Sequence, residues 1–243
     1  MKIAVISDIH SNLEALMSVV KDIKSQGIED VYCLGDIIGY GPRPVECFDL
    51  VHKLAKGIVS GNHEAAMNSI VLYYSLNKTA RLGIDFSMKS LSKEMRDVVK
   101  SLEYKIEIKE HDIVLCHGSY MNPQSFHYIF PVEDLKEEVN NIPNKICFIG
   151  HTHLPFIYGN KNGYCQNNEL VLLKDEKYII NVGSVGQPRD EDNRASYGVI
   201  EFNNDKTIFS IRRCHYNIKK TVEEIYANKF LPNSLADRLL KGE

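Results

Sequence analysis

The sequence predicts an α/β fold of two facing mixed β-sheets flanked by helices, and three observations carry that reading. Strand-like apolar runs alternate with helical patterns through the first sixty residues, and strand–helix–strand units of that length need crossover connections, hence a parallel sheet with helices packed on it. Strand candidates after residue 155 follow one another without intervening helices, which favours antiparallel meander pairing. Between these blocks, residues 64–102 carry apolar residues at helical spacing and no convincing strand.

Taken in order, KIAVIS (2–7) reads as a short buried strand. Leu13, Leu16, Val19, Val20 and Ile23 space a helix over 13–25. DVYCLG (30–35) is a second strand, 43–55 a second helix and GIVSGN (57–62) a third strand. The segment 64–102 predicts an insertion of two or three helices roofing one end of the sheet. Strands resume at 104–109, 112–116 and 145–150, with a helix near 132–140. Further strands are expected at 155–159, 169–173, 177–182, 196–203 and 206–213, the last two joined by an Asn-Asp tip at 204–205. Residues 218–229 and 233–241 predict terminal helices. No linker, low-complexity tract or internal repeat interrupts the chain, so residues 1–243 are read as one domain.

Composition narrows the class of function. Hydrophobic residues make up 44% and charged residues 25%, as in an ordinary globular protein, and the net charge of −3 offers no help with a polyanion. No nucleic-acid polymer is therefore expected as partner. The six cysteines form no C-x-x-C, and Cys33, Cys116 and Cys147 sit inside apolar runs as small core residues. Together with an N-terminal apolar run too short for a signal peptide, and no run near the roughly eighteen apolar residues that span a bilayer, this predicts a cytoplasmic protein with no membrane partner. Oligomeric state is not legible in the sequence.

The chemistry lies at the strand ends. ISDIH places Asp8 and His10 after the first strand, LGD places Asp36 after the second, and SGNHE places Asn62, His63 and Glu64 after the third. LCHG adds His117, and GHTH adds His151 and His153. Singly, each motif is common. Five strands that each end in a metal-competent group, all at the carboxyl end where ligands bind in α/β sheets, are a different matter. Two carboxylates, one amide and four imidazoles (His63 set aside) suit borderline divalent ions such as Mn²⁺, Fe²⁺ or Zn²⁺. Seven ligands exceed the need of one ion with an open position and fit two ions sharing a carboxylate, roughly 3.5–4 Å apart, a geometry that serves displacement at phosphorus.

The ordered set D-x-H, G-D, G-N-H-E, H-G and G-H-x-H over residues 8–153 resembles the calcineurin-like metallophosphoesterase superfamily. DIIGYGPRP (36–44) and NVGSVGQPRD (181–190) resemble stretches of its small single-domain bacterial and archaeal phosphodiesterase branch. The resemblance implies a four-layer αββα sandwich and a hydrolase of small phosphodiesters or phosphoanhydrides, dinucleoside polyphosphates among them. Two divalent ions are implied (Mn, Fe, Zn, Ni or Co, with Mn serving in vitro) and a small phosphorylated substrate, nucleotides included. It assigns Asp8, His10 and His153 to one ion and Asn62, His117 and His151 to the other, with Asp36 bridging. A hydroxide between the ions would attack phosphorus, and His63 would protonate the leaving oxygen or stabilise its charge. Glu64 replaces an aspartate that in some members orients that histidine, and it is one methylene longer. A non-catalytic scaffold of the same fold, like the retromer scaffold subunit, is the alternative of a different class. It has no need of Asn62 and His63 together.

Outside the motifs, Arg43 and Arg189 are candidates for phosphate oxygens, and Tyr40 for stacking on an aromatic leaving group or shielding the loop. Gly39 and Gly41 are expected to permit unusual backbone angles. Asn181 and Ser184 are candidates for orienting ligand-bearing groups, and His127 for lining the pocket. Cys116, alternating with His117 on a strand, faces the core.

Overall fold

The computed structural model describes residues 1–129, 132–165, 167–204 and 206–243, with the backbone alone at Val132. The chain runs β1 (Lys2–Ile6), α1 (Leu13–Ser25), β2 (Asp30–Cys33), α2 (Pro44–Leu54) and β3 (Gly57–Ile58). Four helices follow: α3 (Asn62–Ala66), α4 (Ile70–Ser75), α5 (Lys78–Ser90) and α6 (Lys93–Lys100). Then come β4 (Lys105–Ile108), β5 (Ile113–Cys116), α7 (Val132–Asn141), β6 (Ile146–Ile149), β7 (Phe156–Gly159) and β8 (Gly163–Cys165). The chain closes with β9 (Glu169–Leu172), β10 (Tyr178–Asn181), β11 (Ala195–Phe202), β12 (Thr207–Cys214), α8 (Ile218–Ala227) and α9 (Ser234–Lys241).

Two six-stranded mixed sheets result, in the orders β3-β2-β1-β11-β12-β9 and β4-β5-β6-β10-β7-β8. Alternation along each central strand explains why both sheets are apolar on both faces. Ile3 and Val5 of β1 meet Ile146 and Phe148 of β6 in the core between the sheets. Ala4 and Ile6 turn outward to Leu16, Val19 and Ile23 of α1. Cys147 and Ile149 turn to Leu135 and Val139 of α7. Helix, sheet, sheet and helix form the four layers that the sequence predicts.

Several boundaries differ from expectation. The third strand shrinks to Gly57–Ile58, with Val59 bridging Glu103, because Gly61 is the N-cap of α3 and turns the chain at Asn62. The insertion holds four helices rather than two or three, since the side chains of Ser69, Asn77 and Ser92 each cap a fresh start. The late strands are not one meander. β10 inserts between β6, to which it is parallel, and β7, while β9 crosses to the other sheet beside β12. The short β8 was not legible in the sequence. β11 and β12 pair as expected, with Phe202 opposite Thr207; Asp205 of their tip lies outside the described residues. No helix among the described residues is long and apolar enough to cross a membrane.

Candidate metal centre

All the motif-bearing strand ends meet at one place. β1, β2 and β3 are parallel neighbours, as are β5 and β6 in the other sheet. Their carboxyl-end loops therefore bring Asp8, His10, Asp36, Asn62 and His63 against His117, His151 and His153. Every one of these side chains is buried. Asp8, His10 and His153 form one group of close ligand atoms, and Asp36, His117 and His151 another. Asn62 joins the second group, with its Oδ1 3.1 Å from His117 Nε2. Asp36 Oδ2 lies 3.6 Å from His10 Nε2 and 3.3 Å from His117 Nε2, between the two groups.

The donor set fits divalent ions on several counts. His10 Nε2 and His153 Nε2 approach to 3.1 Å, and two nitrogens bound about 2.1 Å from one ion at a right angle would be about 3.0 Å apart. Three imidazoles have a fixed tautomer, because carbonyl oxygens only accept. His10 Nδ1–H donates to Ile38 O (3.2 Å), His117 Nδ1–H to Leu34 O (2.7 Å) and His153 Nδ1–H to Gln187 O. Each Nε2 is thereby turned to the site, where it offers a lone pair once deprotonated. Among the described residues each carboxylate accepts a backbone N–H on one oxygen: the His151 N–H donates to Asp8 Oδ2 (3.0 Å) and the His63 N–H to Asp36 Oδ1 (2.9 Å). Asp8 Oδ1 and His151 Nε2 are buried without a hydrogen-bond partner among the described residues, a costly arrangement unless an ion satisfies them.

Backbone strain concentrates here. Asp8, His10, Asp36, His151 and His153 all have φ between 46° and 66°, the left-handed region that non-glycine residues adopt at a cost and that clusters at functional sites. At Gly39 (φ 89°) a Cβ would fall 2.0 Å from His63 Nδ1, so only glycine lets that imidazole lie where it does. Gly41 owes its place to close approach rather than to its backbone angle: a Cβ there would meet His10 O at 2.3 Å.

Charge in the metal-free cluster is strongly redistributed. Burial would raise the Asp8 and Asp36 carboxyls, but the surrounding imidazoles overcome it and hold both below the usual range. Burial lowers His10, His63 and His153, and takes His151 down to about 3. His117 goes the other way: burial is overcome by Asp36 and Asp8, and its pKa rises to about 10.

Glu64 does not orient His63. Its buried carboxylate turns to the β2–α2 loop and accepts the backbone N–H groups of Asp36 (2.7 Å), Ile37 (2.9 Å), Ile38 (3.2 Å) and Gly61 (3.0 Å). Burial and the nearby Asp36 push it up to about 7 against the pull of those donors. Asn181 Nδ2 donates to Gly150 O and Thr152 Oγ1 in the GHTH loop, and Ser184 Oγ donates to Asp8 O. Cys116 is buried under α7.

A cavity of about 330 Å³ opens on the cluster. Arg189 lines it, with Nη2 donating to Gln187 Oε1 (3.0 Å) and a buried Nε that has no partner among the described residues. Arg43 does not reach it. Its guanidinium is held by Glu46 and Glu224 (3.0 and 2.7 Å) on the outer face of α2, so its expected phosphate role is corrected. Tyr40 lines the cavity but is only 7% exposed, its ring wedged 4.7 Å from both His10 and His63. That placement shields the site and leaves no free face for stacking. His127 is exposed, and its neighbours Phe126 and Tyr128 line the cavity instead. Their signal in the sequence is a pair of aromatics flanking that histidine.

Comparison with known proteins agrees with this geometry. The profile of the calcineurin-like phosphoesterase superfamily domain matches residues 1–205. The chain is 40% identical over 243 residues to an uncharacterized protein of Methanocaldococcus jannaschii, covering 99% of this chain and 98% of that protein. The crystal structure of a metallophosphoesterase from Sphaerobacter thermophilus superposes with a TM-score of 0.86 at 35% identity, covering 100% of this chain and 99% of that one. The phosphodiesterase YfcE of Escherichia coli is 21% identical over 215 residues, 83% of this chain and 88% of that protein.

Proposed function

The chain belongs to the calcineurin-like phosphoesterase superfamily, and on that premise we propose that it is a two-metal phosphodiesterase that hydrolyses phosphodiester or phosphoanhydride bonds of small molecules. The observation that carries the reading is the pair of ligand groups joined through Asp36, with Asp8, His10 and His153 on one side and Asn62, His117 and His151 on the other. Divalent ions bound there would supply Lewis acidity to phosphoryl oxygens and to water.

The chain's own residues do the rest. Arg189 lines the cavity with a guanidinium whose Nε has no partner among the described residues, a group suited to the non-bridging oxygens of a phosphate. His63 Nδ1 lies against Gly39 with no acceptor among the described residues, so Nε2, 4.0 Å from Asp36 Oδ2, is the nitrogen on which a proton is useful. His63 Nε2–H donates to the leaving oxygen as its bond to phosphorus breaks. Tyr40, buried against His10 and His63, covers that side of the ligand groups. The YfcE name, phosphodiesterase, supports the ester class; the net charge of −3 supports small substrates over nucleic-acid polymers.

The test is a matrix of Mn²⁺, Fe²⁺, Zn²⁺, Ni²⁺ and Co²⁺ against an aryl monoester, an aryl diester, cyclic nucleotides and dinucleoside polyphosphates. Hydrolysis of the aryl diester with at least one ion is expected. Metal-loaded protein that cleaves none of them would favour a non-catalytic scaffold.

A further inference from the structure

We propose that the apolar wall of the cavity binds a flat aromatic group carried by the phosphate ester that is the substrate, and that Tyr128 and Leu76 select for it. This rests on the phosphoesterase reading and adds a substrate class to it. The cavity has two kinds of lining: ligand groups with Arg189 on one part, and Leu72, Leu76, Phe126 and Tyr128 on another.

Tyr128 presents a stacking surface. One face of its ring lies on the His151 imidazole (centroids 4.1 Å apart, planes 21° apart), yet the residue is 54% exposed, so the opposite face is open beside a candidate ligand. Phe126 has φ 52° and ψ 40°, a conformation that bulky residues rarely adopt. It leaves Phe126 buried, 5.9 Å from the His117 ring and 6.4 Å from that of His151, with residues 126 and 128 both on the cavity and His127 in solvent. Leu72 and Leu76 stand four residues apart, the spacing that shares one helix face. They belong to a segment, α4 and its C-cap, in which no helical residue is buried. Both are half-buried and line the cavity, Leu76 while also packing against the cluster that holds Tyr40. At its edge, Asn77 Oδ1 is occupied by the Ala80 N–H (2.9 Å), which leaves the amide N–H₂ for an acceptor on the ring.

The flat ring can belong to a nucleobase or to a simple aryl ester, and binding measurements separate them. Calorimetric titration of manganese-loaded protein would compare adenosine 5′-monophosphate with ribose 5-phosphate, and phenyl phosphate with inorganic phosphate. Each aromatic member is expected to bind about tenfold more tightly than its partner, the scale of one aromatic stack. That ratio should fall to about one in Tyr128→Ala and in Leu76→Asp and persist in Tyr128→Phe. Reading ratios within each variant cancels any effect on His151. Tighter binding of the nucleotide than of phenyl phosphate assigns the wall to a nucleobase, and equal binding to any aryl ring. Equal affinity of aromatic and non-aromatic phosphates, or a ratio that survives both Tyr128→Ala and Leu76→Asp, overturns the inference while leaving the phosphoesterase reading intact. If none of the four phosphates binds, that reading fails first and this one with it.

Discussion

His63 is held by shape rather than by a hydrogen bond: Gly39 lies under its Nδ1, and the rings of His10 and Tyr40 flank it at 4.7 Å. Burial lowers its pKa, so its role toward the leaving oxygen is that of an Nε2–H hydrogen-bond donor that stabilises developing charge. His63→Ala should retain metal while losing turnover by a factor on the order of 10²–10⁴. Unchanged turnover in metal-replete mutant protein removes His63 from the mechanism. His117 titrates differently. Its folded pKa of about 10 lies above the ordinary 6.5. In metal-free protein its contribution to stability is therefore complete below pH 6.5 and is lost as pH rises through about 10. An entering ion must displace that proton, so metal binding at pH 8 should release protons and tighten as pH rises toward 10. Calorimetry of Mn²⁺ binding in buffers of different ionisation enthalpy measures the release; identical heats in all of them would contradict it.

At the scale of elements, the site depends on loops held to helices by buried carboxylates. Glu64 of α3 fastens the β2–α2 loop, which carries Asp36 and offers Ile38 O to His10. Glu138 of α7 likewise holds the loop after His117, through the Ser119 hydroxyl and the Tyr120 and Met121 N–H groups. Glu64→Gln turns an amide N–H₂ toward backbone N–H groups that need acceptors. It should cost about 2–4 kcal/mol in urea unfolding and lower metal content. A variant as stable and as metal-rich as the parent would show that the clamp is dispensable. Such clamps explain what the sequence left hidden. The strand ends were legible because β1, β2, β5 and β6 end in apolar residues and a metal-competent group follows shortly after each. The partners of Glu64 were not, because its four donors are backbone N–H groups, which carry no residue signature. Arg43 misled for the same kind of reason: a loop arginine before a helix reads alike whether it faces phosphate or, as here, Glu224 across the surface.

At the scale of the whole molecule, two sheets with apolar inner faces bring five strand ends from distant parts of the chain to one edge. Strand periodicity predicts strands but is silent on their neighbours, so it does not show that β10 inserts between β6 and β7 or that β9 joins β12 in the other sheet. The C-terminal helices complete the enclosure: Val222, Ile225, Leu235 and Leu239 pack with Tyr40 over the site. The fold gathers candidate metal ligands that no single loop could bring together, and the proposal that they hold two ions follows from that gathering. Its most direct test is the turnover of an aryl phosphodiester by chelator-stripped protein titrated with Mn²⁺. Turnover should be absent at the start, rise with added metal and level off at two ions per chain. Turnover that is indifferent to metal, or absent throughout the titration, would contradict the account.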